Sequence, residues 1–206
     1  MNARLSSLTL SLIGGLLLTA TSGCSLLPEA QTDPTKYYVL STEVAGVPLQ
    51  ASPTVVNLRE VELASYLRGR PLVVRRGDNE IEFREFSRWG EPLELGIARV
   101  LRDELVARGA AGAVRGAGGR REFSGHDDFT LNVRVLSCEG AADGGVLFRA
   151  VWELVPALDK PGAPARGDFR PADLRWDGKS EASLAAKLSQ AVSGLANEIA
   201  AALGKK

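Results

Sequence analysis

The start of the chain restricts the fold most, because it is built differently from everything that follows. Residues 1–23 contain one charged side chain, Arg4, and a leucine-rich run from Leu8 to Leu18, and they end in small residues. A basic start, a short apolar stretch and a small-residue exit are the three regions of a secretory signal peptide. The apolar run is shorter than the roughly 20 residues of a membrane-spanning helix. We therefore expect only the residues after 23 to form the folded domain.

Cys24 stands directly after this leader. The exit reads Thr21-Ser22-Gly23-Cys24, which resembles a bacterial lipobox with Thr where Leu is usual. In such a motif the cysteine is acylated and becomes the mature N-terminus, so Cys24 is predicted to carry a lipid. The alternative is a secreted protein in which a cysteine stands at the cleavage site by chance. In proteins similar to this one an Asp at the next position signals retention at the inner membrane. Ser25 therefore predicts the periplasmic face of the outer membrane over the inner membrane.

Three segments follow from this division. Residues 1–23 are predicted to be the signal peptide, 24–35 a lipidated tether with two prolines and no periodicity, and 36–206 a single domain. Lys plus Arg equals Asp plus Glu, with 25 of each, so nothing in the charge indicates nucleic acid. Cys138 is the other cysteine and has no partner once Cys24 is acylated, so we expect a small buried side chain.

The apolar residues of the domain first follow the period of β-strands. Strands are predicted at 36–40, 54–61, 72–76, 81–86, 129–135 and 146–154, with hairpin turns at 77–79 and 141–145. Residues 41–53, 109–119 and 156–167 are rich in Gly, Ala or Pro and are predicted loops, and 168–176 has room for one short strand.

Two segments have helical periodicity instead. From Trp89 to Arg108, apolar residues such as Ile97 and Leu101 recur at steps of three and four. The last helix begins after Lys179, with Ser180 as its N-cap. We therefore predict an α/β single domain in which a mixed sheet of about six strands is flanked by two long amphipathic helices.

Catalytic motifs are not apparent in the sequence. His126 is the single histidine, and His126-Asp127-Asp128 is interpreted as a solvated loop. Gly178-Lys179-Ser180 imitates the end of a phosphate-binding loop, but Asp173 stands where that motif needs its first glycine. A basic cluster, Arg68, Arg70, Arg75 and Arg76, is matched by Glu60, Glu62, Glu80 and Glu82, which favours a charge-balanced surface. We predict no catalytic residue, metal or cofactor, and no enzyme activity.

One run of residues resembles a known family. Residues Asn79 to Leu93 read NEIEFREFSRWGEPL and lead to Arg99-Val100-Leu101. This is similar to the ABC-type transport auxiliary lipoproteins, which include components resembling paraquat-inducible protein C. Tyr37-Tyr38-Val39-Leu40 matches the family's first strand. Residues Tyr66 to Arg75 match a further motif, although they carry Arg-Gly where the family has a single Asp.

The resemblance implies a fold and partners. The fold would be like that of anticodon-binding domains and of the N-terminal domain of the translocation protein TolB. The chain would dock or anchor a system of inner-membrane transporter components and a mammalian cell entry (MCE) domain protein that moves lipids across the envelope, with homo-oligomers left open. The alternatives are a periplasmic lipoprotein that itself binds an apolar ligand between sheet and helices, and a structural envelope lipoprotein.

The sequence also suggests where a protein partner would bind. Interfaces favour Trp, Tyr and Arg, so we expect partner contacts at exposed residues of these types. The candidates are Tyr66, Arg70, Arg88 and Trp176. The segment from Arg88 to Leu93 is interpreted either as a contact surface or as a folding corner, in which the ring of Trp89 fills the junction between strand and helix.

The Cys24→Ser variant tests the predicted anchor. It should leave membranes completely and keep the thermal stability of the wild-type domain, because the tether has no pattern that would pack on the domain. Fractionation and thermal unfolding are the measurements. A variant that still sediments with membranes after a salt wash is not held there by a lipid.

Overall fold

The computed structural model describes residues 32–43, 52–116 and 126–204. The chain divides into two compact units, Met1–Pro34 and Thr35–Lys206. The predicted leader, Cys24 and Ser25 lie outside the described residues, as do 44–51 and 117–125 in two of the predicted loops.

The described residues of the second unit form nine strands and two long helices. The strands are β1 (Lys36–Tyr38), β2 (Val55–Leu58), β3 (Glu62–Leu63), β4 (Pro71–Gly77), β5 (Glu80–Trp89), β6 (Ala113–Gly116), β7 (Phe129–Ala141), β8 (Val146–Pro156) and β9 (Ala165–Phe169). The helices are α1 (Leu93–Ala107) and α2 (Glu181–Leu203), and a 3₁₀ turn spans Ser65–Arg68.

The sheet is organised around β7, its longest strand. Along one side β7 pairs antiparallel with β8, which pairs antiparallel with β9. Along the other side it pairs in succession with β2, β3 and β4, all parallel. From there β6 joins β2, β5 joins β4, and β1 joins β5. The predicted class, a mixed sheet with two helices in one domain, is confirmed, with nine strands instead of about six.

One face of this sheet carries the core. Leu131, Val133 and Val135 alternate along β7 and are buried, and Trp152 opposite Val133 donates its Nε1–H to Glu198 of α2 at 2.7 Å. These side chains therefore point toward the helices. Beyond an irregularity at Val135–Ser137, Cys138 is also buried, as predicted. Burial raises the pKa of the Cys138 thiol far above its usual value, so the thiol stays neutral.

The two helices are joined by polar contacts as well as by apolar packing. The Arg108 guanidinium, just after α1, donates to Ser193 Oγ at 2.9 Å and to Asn197 Oδ1 at 3.2 Å on α2. Ser180 caps α2, as predicted, and its Oγ accepts the Ser183 N–H at 3.4 Å. Helix α1 begins at Leu93, later than the predicted Trp89. The reason is that β5 remains paired up to its last residue, which is Trp89 itself.

The chain after β1 is fastened to both helices. Arg99 of α1 donates to the carbonyl of Leu40 at 2.8 Å. Ser189 of α2 accepts the N–H of Ser41 at 3.1 Å, and Glu104 of α1 accepts the N–H of Glu43 at 2.6 Å. Ser189 and Glu104 are buried polar groups, and both have further partners, since Glu104 pairs with Arg108 at 2.9 Å and Ser189 donates to the carbonyl of Ala185 at 2.9 Å.

Strand β6 lies in a segment that was predicted as a loop, and β9 begins in another, although its last two residues fall within 168–176, where a short strand was expected. In β6, a Cβ on Gly116 would lie 2.7 Å from the Leu58 carbonyl oxygen of β2. In β9, a Cβ on Gly167 would lie 2.3 Å from Nε1 of Trp152. Both glycines thus allow close approach within the sheet, where the sequence suggested turn chemistry. The predicted strand 54–61 is shorter in the structure, because β2 spans only Val55–Leu58, and β3 begins at Glu62, beyond the predicted end.

Candidate functional site

The described residues hold no group of three or more His, Cys, Asp and Glu side chains placed to bind a metal. His126 is exposed at the edge of the described segment. The two residues that follow it form ion pairs. Asp127 pairs with Arg115 at 3.2 Å, and Asp128 pairs with Lys160 at 2.8 Å. Asp128 also accepts the N–H of Val55 at 2.8 Å. The acidic pair therefore fixes loops at the end of the sheet.

The four predicted contact residues lie in different environments. Arg70 is exposed, and Arg88 is half-buried, with its Nε donating to the carbonyl of Glu85 at 2.9 Å. Trp176 was expected on the surface, and that expectation is wrong, because its side chain is only 5% exposed. Its Nε1–H donates to the carbonyl of Ala141 at 3.2 Å, and its ring lies against Gly140, which leaves room for it.

Tyr66 is half-buried next to a buried ion pair. Arg75 Nε contacts Glu139 Oε1 at 2.6 Å, and the Glu139 side chain is fully buried while that of Arg75 is 28% exposed. Burial, and next the Glu139 carboxylate, raise the pKa of Tyr66 to about 12, so its hydroxyl is neutral. The hydrogen bond to Glu139 raises the pKa of Arg75. The Arg75–Glu139 pair joins β4 to β7, and its role is structural.

The burial of Glu139 was not predicted. Arg75 was grouped with an exposed basic cluster, and Arg76 in that cluster does pair with Glu82 at the surface. The corner at Trp89 is also structural, since this ring is 4% exposed and Glu91 pairs with Arg99 at 2.6 Å. No local pattern indicated that Glu139 is buried, because the alternation along β7 ends at an irregularity between Val135 and Ser137.

The sheet face that the helices do not cover, called here the open face, carries a groove. Its volume is about 920 Å³. The polar side chains that line it are Asn57, Arg59, Glu60, Glu62, Asn132, Arg134, Glu153 and Arg166. Arg134 Nε lies 2.8 Å from Glu62 Oε2, and Arg166 Nη2 lies 2.7 Å from Glu153 Oε1. The groove thus presents fixed charges of both signs on rigid strands.

A second concave region, called here the α2 cleft, lies where β7, β8 and β9 meet the end of α2. Its volume is about 1000 Å³. Its apolar lining includes Phe129, Trp152, Leu154, Ala201 and Ala202. Charged side chains also line it: Asp128, Lys160, Arg166 and Glu198. Asp128 pairs with Lys160 within this lining. An apolar pocket with a few polar groups is typical of small-molecule sites.

Comparison with known proteins identifies the family. A family model described as the ABC-type transport auxiliary lipoprotein component matches residues 38–200. The chain belongs to this family. An ABC-type transport auxiliary lipoprotein is a transport component that associates with a transporter system, and it is a membrane-associated protein of the envelope. None of the helices that the structure describes is long and apolar enough to cross a bilayer.

Two solved structures share the fold of this auxiliary lipoprotein. One, described as the crystal structure of an uncharacterized protein, matches with a TM-score of 0.62 at 20% identity over 82% of this chain and 99% of its own. The other is protein XCC0632 from Xanthomonas campestris, of the family DUF330, with a TM-score of 0.58 at 14% identity over 80% and 92% of the two chains. No curated protein matches.

Removing Arg75 should destabilise the auxiliary lipoprotein strongly. Arg75→Met leaves the buried Glu139 carboxylate without its cation and should lower the free energy of unfolding by about 3 kcal/mol. Arg76→Met is the matched control, because the side chains of Arg76 and Glu82 are 39% and 35% exposed. It should cost less than about 1 kcal/mol. Equal losses in chemical denaturation of the two variants would contradict a structural role for the buried pair.

Proposed function

We propose that this chain is the lipid-anchored docking component of an ABC-type transport system that includes an MCE-domain protein. Acylated Cys24 would hold it at the periplasmic face of the outer membrane, and the domain would bind the MCE-domain protein without catalysing a reaction. The family supports the transport role. The observation that carries the docking role is the groove on the open face, where charged side chains of both signs are held in ion pairs.

The charges in this groove suit protein recognition. Arginine is enriched at protein interfaces, and complementary charges supply specificity and speed association. Arg134 and Arg166 are each held by an acidic partner on a neighbouring strand, so little side-chain freedom is lost on binding. Arg59 lines the same groove and is exposed. We therefore add Arg59 and Arg134 to Tyr66, Arg70 and Arg88 as candidate contacts.

Capture of the cognate MCE-domain protein tests the docking role. We expect Arg59→Ala or Arg134→Ala to weaken capture about tenfold or more, with an unchanged melting temperature, because exposed pairs contribute little stability. Capture by the Arg70→Ala and Arg88→Ala variants should be measured in the same assay, because the sequence analysis named both residues as candidate contacts.

Lys187→Ala is the matched control, since it removes one positive charge from α2, on the other side of the sheet. It should bind normally. If every groove variant binds as tightly as this control, the open face is not the docking surface. If the wild-type chain has no affinity for the MCE-domain protein, the docking role itself is wrong.

A second function is favoured by the α2 cleft. Its volume of about 1000 Å³ lies at the upper end of the range for small-molecule pockets. Trp152, Leu154 and Phe129 offer apolar surface, while Lys160 and Arg166 could meet an anionic head group. A periplasmic lipoprotein of this kind would itself hold an amphiphile between the sheet and α2.

Filling the cleft tests this second function. Ala201 lines the cleft and Ala186 does not, and both are exposed on α2. If the cleft holds an amphiphile, the wild type and Ala186→Trp should retain it through size exclusion, and Ala201→Trp should lose it, as measured by mass spectrometry. A wild-type chain that retains no lipid and captures the MCE-domain protein would contradict the ligand-binding function.

A further inference from the structure

Large apolar side chains are exposed together where the tether joins the domain. Within the described residues six such side chains are exposed, and four lie on or next to β1 and β5: Tyr37, Val39, Phe83 and Phe86, with exposures of 61, 57, 44 and 56%. We call these four the tether-root patch. Exposed apolar clusters on a protein domain commonly mark an interaction surface.

The strand register places Tyr37, Val39 and Phe86 close together. Lys36 pairs with Ser87 and Tyr37 with Arg88, so Phe86 directly precedes the first residue of β5 that pairs with β1, and Phe83 lies earlier in the same strand. Val39 and Tyr37 both lie beside Gly90, where a Cβ would be 3.2 Å from Val39 Cγ1 and 4.0 Å from Tyr37 Cβ. The patch therefore follows the line along which β1 joins the sheet.

We propose that the tether-root patch lies in the headgroup region of the bilayer that holds the anchor. This inference rests on the proposed acylation of Cys24. The 12 residues from Cys24 to Thr35 span at most roughly 40 Å when extended, and they end at Lys36, the first residue of β1. The surface nearest to the lipid along the chain is therefore this patch.

The chemistry of the patch suits a lipid surface. Tyrosine and phenylalanine rings favour the boundary between water and acyl chains, and basic side chains are attracted to anionic lipids. Lys36 is exposed beside the patch, and Arg88 is the register partner of Tyr37. Glu85 is the acidic neighbour, and its carbonyl accepts from Arg88. A guanidinium binds a lipid phosphate or a protein carboxylate by the same chemistry, and competition by the MCE-domain protein separates the two.

The fold provides a distant control position. Val74 of β4 pairs with Gly140, near the carboxyl end of β7, and β1 meets β5 opposite Pro71, at the start of β4. Pro156 and the loop after it lie at the amino end of β7, opposite Phe129. About eight residues of β7, or roughly 25 Å along the strand, separate the level of β1 from that end. Leu158 is fully exposed in that loop.

Tryptophan fluorescence gives the readout. The native Trp89, Trp152 and Trp176 are 4, 6 and 5% exposed, so they are shielded from a quencher in the bilayer. The full chain, expressed with its leader and verified by mass as acylated, is reconstituted in vesicles that contain brominated phosphatidylcholine and phosphatidylglycerol. We expect Phe86→Trp to lose about half of its added emission, and Leu158→Trp to lose almost none.

Each outcome decides the inference. Acylated protein in which Phe86→Trp is quenched no more than Leu158→Trp contradicts the patch and leaves the anchor intact. If the purified protein is not acylated, the proposed acylation of Cys24 is wrong. The proposed position of the tether-root patch, which rests on that acylation, is then wrong as well. If added MCE-domain protein removes Phe86→Trp from the bilayer quencher, and Tyr37→Ser abolishes capture, the patch is a protein interface and the inference is wrong.

Discussion

The ladder between β7 and β8 is the interaction on which the rest of the structure depends. It runs from Phe129 opposite Pro156 to Gly140 opposite Val146. On the other side of β7, β2 has four residues and β3 only two. Strands of this length have no stability alone, so β2 and β3 need the edge of β7 as a template, and the same edge holds the β4–β5 hairpin through β4. The register of one long hairpin therefore positions the groove, the α2 cleft and the tether-root patch.

Polar groups in the interior connect segments that are distant in sequence. Glu139 connects β7 to Arg75 of β4, and Glu104 and Ser189 hold the backbone that follows β1. Burying such groups is costly unless each one has a partner. In this chain the partners include the backbone of the residues that follow β1. The two helices are therefore hydrogen-bonded to the segment next to the strand at which the predicted tether ends.

The sequence predicted the elements that have a long, regular pattern. Both helices and the β7–β8 hairpin follow from their apolar periodicity, and β8 buries alternate residues. The β4–β5 hairpin follows from its turn residues and from the apolar run at the start of β4. Strand β6 and the first part of β9 were missed because their glycines, Gly116 and Gly167, allow close contacts that only the assembled sheet reveals. The burial of Trp176 depends on a bridge between Gly145 and Arg175, which no local pattern encodes.

The arrangement of the candidate surfaces could not be predicted from the sequence either, because it depends on pairing between strands that are distant in the chain. Residues of the groove come from β2, β7, β8 and β9 and meet only through strand pairing. The residues of the tether-root patch are apolar in the sequence, but the sequence does not show that they are exposed. Their exposure depends on the position of β1 at the edge of the sheet. Family membership could be predicted from short motifs, because such motifs need no tertiary context, and lipidation at Cys24 stays a prediction of the same kind.

Photocrosslinking in cells tests the central claim, that the open face meets a protein partner while the tether end faces the membrane. A photoreactive amino acid at Arg134 would sample the groove, and one at Phe86 would sample the patch. We predict an adduct with the MCE-domain protein from position 134 and none from position 86. An adduct from position 86 alone, or from neither position in protein that fractionates with the membrane, would contradict this claim.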